Sequence, residues 1–549
     1  MPPETTESLR ARLALLGVAP SPDEPELERA FTLFAERMRL LDEAADLGPA
    51  DPPYLAPPIP PGPPATAPPL APEATGPPGG PPGLVAAAAM VRDGAATSVA
   101  LVEQALAAVE AADGRLGAFV AVFGEQALAE AAELDADLAA GWLRGPLHGV
   151  PVAVKDLIDV AGAVTGAGSP KLADNRATAD AEVVARLRRA GAVVLGKTRT
   201  HEFAYGVLTP GTVNPWAMDR IPGGSSGGSA VAVAAGMVPA AVGSDTAGSI
   251  RIPAACCGIV GFKPTYGAVP ATGVWPLSWS CDHVGPLARG VADAWLAFGV
   301  LAGQTEPAAP AAMAPGTPGE TGPTAARSGM AGLRLGWLVG DLVDGVSDEV
   351  AAVVADLRAG LVEAGAVVDE VRLPLGVARA AAAAVVLPEL AAAHERLLTR
   401  SGEDGYGPPV LAALRLGPTV LASEYLAGLR YRGRFAAQVE AVLASRDALV
   451  LPTLPVTAPL IGQATVEIAG RPASVQAALT ALPGPFNCSG SPVVSLPAGL
   501  AGGLPVGASL VGRLGRDRDL LEVARSVEAV IPALPGGAAA WRELPPASA

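Results

Sequence analysis

Gly223-Gly-Ser-Ser-Gly-Gly-Ser229 and, shortly after it, Ser244-Asp-Thr-Ala-Gly-Ser-Ile-Arg251 form a pair of glycine-flanked serine motifs. Glycine lets backbone and hydroxyl come close to a bound molecule. A tight turn through Thr246, Ala247, Gly248 and Ser249 can aim several N–H groups at one point, as an oxyanion hole requires. Gly223-Gly-Ser225-Ser-Gly227 also fits the GxSxG nucleophile elbow, but an elbow follows a buried strand. Here the preceding Asn214-Pro-Trp-Ala-Met-Asp-Arg-Ile-Pro222 is irregular and bounded by prolines. A classical triad would also need a later histidine, which leaves only His283 and His394; His394 reads as a surface or packing residue in an alanine-rich helix.

Outward from these motifs, residues 85 to 302 alternate helical patterns with short β-branched runs, for example helix 98–112, strand 151–155, helix 178–190 and strand 192–195. That alternation predicts an α/β fold. The texture resumes at 333–339, with helices near 347–364 and 420–446, strands at 448–451, 493–496 and 505–511, and a last helix near 519–530. Before all this, residues 1–45 place Leu13, Leu16, Leu27, Phe31, Phe34, Met38 and Leu41 at helical spacing, a short helical segment able to pack onto a larger body. Residues 46–84 are a Pro-rich linker and 303–330 a low-complexity insertion within a main domain at 85–540.

The chain of 549 residues carries 54 acidic against 38 basic side chains, a formal net charge of -16, which argues against a surface built to hold nucleic-acid phosphates. Its four cysteines, Cys256, Cys257, Cys281 and Cys488, show no CxxC spacing, so a reduced, cytoplasmic setting is expected. Neither a signal peptide nor a convincing membrane-spanning run is read, and the four histidines fit no metal pattern, so no metal or cofactor is expected. Gly191-Ala-Val-Val-Leu-Gly-Lys-Thr198 matches a phosphate-loop pattern by letter, yet a helix precedes its first glycine and its middle reads as a strand. Lys197 is therefore expected to be a strand-end surface lysine or a structural one.

Lys155 closes the strand Val150-Pro-Val-Ala-Val-Lys155, and strand alternation points Asp156 away from it. A lysine left unpaired among apolar residues is a candidate for a depressed pKa. To serve as a base it must titrate near neutrality rather than near ~10.4, at a cost of about 4 kcal/mol.

With these residues stand Gly258-Ile-Val-Gly-Phe-Lys-Pro-Thr-Tyr266, Asp282-His-Val-Gly-Pro-Leu-Ala-Arg289, Leu451-Pro-Thr-Leu-Pro455 and Pro485-Phe-Asn487. Together with His148–Asp156 and the two serine motifs, they resemble the amidase signature family over roughly 85–535. The resemblance implies one large domain, a mixed sheet covered by helices on both faces. It also implies a Ser-cisSer-Lys triad on Ser249 (nucleophile), Ser225 (proton relay) and Lys155 (base), with 249 − 225 = 24 residues between the serines. The oxyanion hole would comprise the N–H groups of Thr246, Ala247, Gly248 and Ser249, supported by Ser226, Asp245 and Arg251. Two positions depart from the commonest family pattern: Ala247 stands for a glycine and Ser244 for a threonine. Phe203, Tyr205, Trp275, Trp279 and Asn487 are expected to line the pocket, which would suit a small amide with some apolar surface. The implied activity is hydrolysis of a carboxylic amide, with a homodimer as the family-level expectation. The alternatives are the glutaminase subunit of a tRNA-dependent amidotransferase, an allophanate- or biuret-type hydrolase, and a non-catalytic scaffold. The N-terminal helices resemble the small helical subunit that wraps the amidase subunit in such assemblies, here fused in cis.

Overall fold

A computed structural model describes residues 6–15, 25–44, 81–304, 329–468 and 470–534. Most of the expected linker at 46–84 and insertion at 303–330 lies outside these residues, as does Leu16. The strands are β1 (Phe119–Val122), β2 (Pro151–Lys155), β3 (Val193–Thr198), β4 (Ala240–Asp245), β5 (Val260–Lys263), β6 (His283–Ala288), β7 (Arg334–Leu338), β8 (Val367–Val371), β9 (Ala448–Pro452), β10 (Thr465–Ile468), β11 (Arg471–Ser474), β12 (Val493–Ala501) and β13 (Leu504–Val511). Eleven of them form one mixed sheet in the order β1-β3-β2-β4-β6-β5-β12-β13-β9-β7-β8, while β10 and β11 make a separate hairpin. The expected α/β architecture is present.

Toward one edge of the sheet, just inside β1, strands β3, β2 and β4 run parallel. Helices cover both faces, so β2 is buried along its whole length and reads as a continuous apolar run rather than an alternating one. Val152 and Val154 pack into one layer and Ala153 into the other. Parallel β2 and β4 end side by side, which brings Lys155 and Asp245, their last residues, to the same edge. Crevices beyond the carboxyl ends of parallel strands are where α/β proteins place their sites.

The phosphate-loop look-alike is strand β3, preceded by helix Glu182–Arg189. Lys197 is fully buried and pairs with Asp156 at 3.0 Å while donating to Thr165 Oγ1 at 2.9 Å, so its role is structural. Helix Gly227–Ala234 packs so tightly against neighbouring backbone that a Cβ on Gly228 would lie 2.4 Å from the Ala118 carbonyl oxygen. Only glycine fits there.

Two N-terminal helices, Thr6–Leu15 and Pro25–Ala44, dock on the body through Leu9, Leu13, Leu27, Phe31, Phe34, Met38 and Leu41, all buried. They share one core with helices Leu375–Ser401, Pro408–Leu416 and Ala422–Leu443. Helix Leu375–Ser401 is long and apolar enough to cross a membrane by length and composition. It buries Glu389 and His394 in polar contacts and packs against other helices, which marks it as a core helix. His394 is thus buried, not superficial: its Nδ1 meets the Tyr406 hydroxyl at 3.0 Å and its ring stacks edge-on to Phe203.

Replacing Lys197 by Met leaves the Asp156 carboxylate buried without its cation, and is expected to cost about 3–5 kcal/mol of stability. Urea unfolding of the variant beside the parent measures this.

Candidate active site

Lys155 is wholly buried, and its Nζ donates to Ser225 Oγ at 2.7 Å and to Ser244 Oγ at 2.9 Å. Burial depresses its pKa to about 7, with the Asp245 and Asp282 charges opposing part of the shift. Near neutral pH this lysine is therefore poised between its two protonation states. Ser225 follows a cis peptide after Gly224 and precedes helix Gly227–Ala234. Its carbonyl accepts from His201 N at 3.2 Å, and Thr209 Oγ1 donates to the Gly223 carbonyl at 2.9 Å, so the loop is held from two sides. Ser226 ties this loop to the second motif: its N–H donates to the Ser249 carbonyl at 3.2 Å and its hydroxyl to the Ser244 carbonyl at 3.1 Å.

The turn 246–249 is shaped by Asp245. Its buried carboxylate accepts the N–H of Gly248 at 2.7 Å and of Ile250 at 3.1 Å, and takes both Nε and Nη2 of Arg251 at 2.9 Å in a bidentate pair. Burial alone would raise its pKa, but Arg251, with Lys263 and Asn487, holds it well below the usual carboxylate range. Gly248 takes φ 121, and a Cβ there would meet Pro483 at 2.7 Å, so this position needs glycine. The N–H groups of Thr246, Ala247 and Ser249 have no acceptor among the described residues. Gly248 departs from expectation: its N–H is already given to the Asp245 carboxylate, so it holds the turn.

The family model for amidases matches residues 100–521 of this chain. The chain belongs to the amidase family. It is similar to the A-type subunit of glutamyl-tRNA(Gln) amidotransferase from Moorella thermoacetica, 38% identical over 459 residues, which cover 78% of this chain and 92% of the relative. It is equally similar, at 38% over 420 residues, to AtzE, a 1-carboxybiuret hydrolase subunit of a Pseudomonas species, covering 74% of this chain and 90% of that one. A crystal structure described as an amidase superposes with a TM-score of 0.74 at 35% identity, covering 82% of this chain and all of the other. The chain is a hydrolase acting on amide C–N bonds.

Around Lys155, Ser225 and Ser249 of this amidase the expected pocket residues divide. Asn487 is fully buried and does not line a pocket: its Nδ2 donates to the Asp245 carbonyl at 2.9 Å and carboxylate at 2.8 Å, and its Oδ1 accepts from Arg251 at 2.6 Å. Phe203 is likewise fully buried, a core residue among Trp275, His394 and Tyr406. Trp279 is 47% exposed, with its carbonyl accepting from the Tyr266 hydroxyl. Trp275 and Tyr205 are half-buried, and the indole Nε1 of Trp275 has no acceptor among the described residues, so these two remain the candidates to face a ligand. His283, the other histidine downstream of the serine motifs, has its Nδ1 at 2.7 Å from the Cys281 carbonyl, and burial drives its pKa down. It supports the wall behind Asp245.

Several contributors carried no readable signal of their own in the sequence. Asp282 accepts from Thr246 Oγ1 at 2.6 Å and from the Leu277 N–H at 2.9 Å, and burial lifts its pKa to about 6. Glu389, from the helix at 375–401, accepts from the hydroxyls of Ser278 and Ser280 at 2.6 Å each. Lys263 donates to the Ser491 carbonyl at 2.5 Å. Asp282 and Lys263 sit inside quoted motifs; Glu389 sits in an alanine-rich helix, where only the fold shows what it reaches.

If Asn487 acts through Asp245, Asn487→Ala lowers kcat with little change in KM and costs about 1–3 kcal/mol of stability through the donor and acceptor left unpaired. Steady-state kinetics and thermal unfolding read the two effects separately.

Proposed function

We propose that this amidase cleaves a small-molecule carboxylic amide to acid plus ammonia or amine through an acyl-enzyme on Ser249. The observation that carries the reading is the buried Lys155, its Nζ 2.7 Å from Ser225 Oγ and its pKa depressed to about 7. Neutral Lys155 takes the hydroxyl proton of Ser225 while Ser225 takes that of Ser249, and Ser249 Oγ bonds to the amide carbon. The oxygen that gains charge is held by the N–H groups of Thr246, Ala247 and Ser249, each worth about 3–4 kcal/mol in the transition state. As the C–N bond breaks, the proton returns from Lys155 through Ser225 to the leaving nitrogen. Water then attacks the ester, gives its proton to the same relay, and Ser249 leaves with the acid free. Ser226, Asp245 and Arg251 position the two loops. Ala247 keeps its backbone donor, so its side chain bears on substrate fit rather than on chemistry.

The N-terminal helices dock in cis on the helices at 375–401 and 408–416, which supports a self-contained hydrolase. The similarity to the amidotransferase chain favours a second reading, glutaminase action for partner proteins. Ammonia release from a panel of simple amides by the purified chain alone is expected; release from glutamine only, and only with added partners, would overturn the first reading.

The active form carries neutral Lys155, so kcat/KM rises with pH between 6 and 8 around an inflection near 7. Ser249→Ala is expected to lower kcat by at least about 10⁴-fold. Lys155→Ala is expected to lower it about 10²–10⁴-fold and to abolish the inflection. A profile flat across that window in the parent rejects Lys155 as the base.

A further inference from the structure

The turn after β4 is anchored unevenly. Its second half is tied to Asp245, whose carboxylate accepts the N–H of Gly248 at 2.7 Å and of Ile250 at 3.1 Å. In its first half, Thr246 and Ala247 make no backbone hydrogen bond among the described residues. The peptide joining Asp245 to Thr246 is held at its carbonyl, which accepts from Asn487 Nδ2 at 2.9 Å. Beyond that, the first half has one hydrogen-bonded anchor among the described residues: Thr246 Oγ1 donates to Asp282 Oδ1 at 2.6 Å, a short bond to a carboxylate. Strand pairing brings the two residues together. β4 and β6 are antiparallel neighbours with Asp245 opposite His283, so one step further along each chain sets Thr246 opposite Asp282.

A side chain positions another only if it is itself held. Asp282 Oδ2 accepts the N–H of Leu277 at 2.9 Å, and both carboxylate oxygens lie 3.1 Å from the Ser278 nitrogen. The Asp282 N–H donates back to the Ser278 carbonyl at 2.8 Å, which closes the loop on itself. Two helices fix that loop from outside. From helix Leu375–Ser401, Glu389 accepts from the hydroxyls of Ser278 and Ser280 at 2.6 Å each, and from helix Ala422–Leu443, Arg432 Nη2 donates to the Ser280 carbonyl at 2.6 Å. None of these contacts involves Thr246.

The Thr246 Cα joins two peptides, one presenting the Thr246 N–H and the other the Ala247 N–H. A hydroxyl pinned to Asp282 keeps the Thr246 side chain in one rotamer and steadies the pivot that both peptides share. A shift of about 1 Å in such a group is enough to cost on the order of 10²-fold in rate.

We infer that Asp282 is a positioning residue for the hydrolysis: it holds the Thr246 hydroxyl and through it aims the Thr246 and Ala247 N–H groups at the oxyanion. The inference rests on the amidase reading, in which these two groups are oxyanion donors. Thr246→Val removes the bond, Thr246→Ser keeps the hydroxyl, and both leave the loop contacts of Asp282 in place. Their kcat and KM are measured beside Asp282→Ala, the double variant Thr246→Val/Asp282→Ala and Ser249→Ala, on the simple amide that the parent turns over fastest, with the folded fraction read by circular dichroism.

Thr246→Val is expected to lower kcat per folded molecule about 10–100-fold with KM within about twofold of the parent, and Thr246→Ser to recover most of that loss. Asp282→Ala lowers kcat at least as far, and the double variant stays within about threefold of Asp282→Ala because both changes break the same bond. The inference is overturned if Thr246→Val keeps kcat within about twofold of the parent, or if Thr246→Ser is as slow as Thr246→Val. It is also overturned if the two single losses multiply in the double variant. Should Asp282→Ala not fold, the two Thr246 variants decide between these outcomes. A parent that turns over no amide, or a Ser249→Ala as active as the parent, removes the amidase reading and the inference with it. An inactive Ser249→Ala beside a Thr246→Val of undiminished kcat removes the inference alone.

Discussion

The buried pair between Asp245 and Arg251 is the constraint on which the site depends. Both side chains are removed from water, and a carboxylate in that position is tolerable only because a bidentate guanidinium, an amide from Asn487 and two backbone N–H groups meet it at once. Satisfying Asp245 turns the chain back after β4, and the N–H groups of Thr246, Ala247 and Ser249 are left without an acceptor among the described residues. The same negative charge opposes, without cancelling, the desolvation of Lys155. One ion pair thus fixes the turn and moderates the base.

Two buried lysines on adjacent parallel strands show how position sets chemistry. Lys197 on β3 faces Asp156 at 3.0 Å, an arrangement that serves structure. Lys155 on β2 meets only hydroxyls at close range, those of Ser225 and Ser244, and its nearest charges act from farther off. Hydroxyls cannot repay the desolvation of an ammonium as a carboxylate does, so the neutral form becomes accessible at ordinary pH. The residue types are identical; the difference lies in which loop each strand end meets.

The helices at 6–15 and 25–44 add a third layer of dependence. Their apolar stripe needs the helices at 375–401, 408–416 and 422–443 as a surface, and the first of those carries Glu389 to Ser278 and Ser280 and His394 to Phe203. Both N-terminal helices lie outside the span matched by the family model, yet they share a core with helices inside it.

Local pattern was enough to reveal the alternation of helices and buried strands, since hydrophobic periodicity is a property of neighbouring residues, while Lys155, Ser225 and Ser249 were singled out by the family resemblance that the contiguous motifs around them carry. It also argued against a phosphate loop at Lys197, because the residues between the two glycines read as a strand; that this lysine is buried and paired with Asp156 came from the fold. The same pattern failed for side chains whose partners are distant in the chain: Asn487 reads as a loop amide until Asp245 is found beside it, and Phe203 reads as a pocket aromatic until His394 and Tyr406 close over it. Gly248 looked like a donor until its N–H was seen turned to Asp245. These roles were settled by tertiary contacts, because a buried polar group's role is set by what satisfies it, and for Asn487 that partner stands hundreds of residues away in the chain.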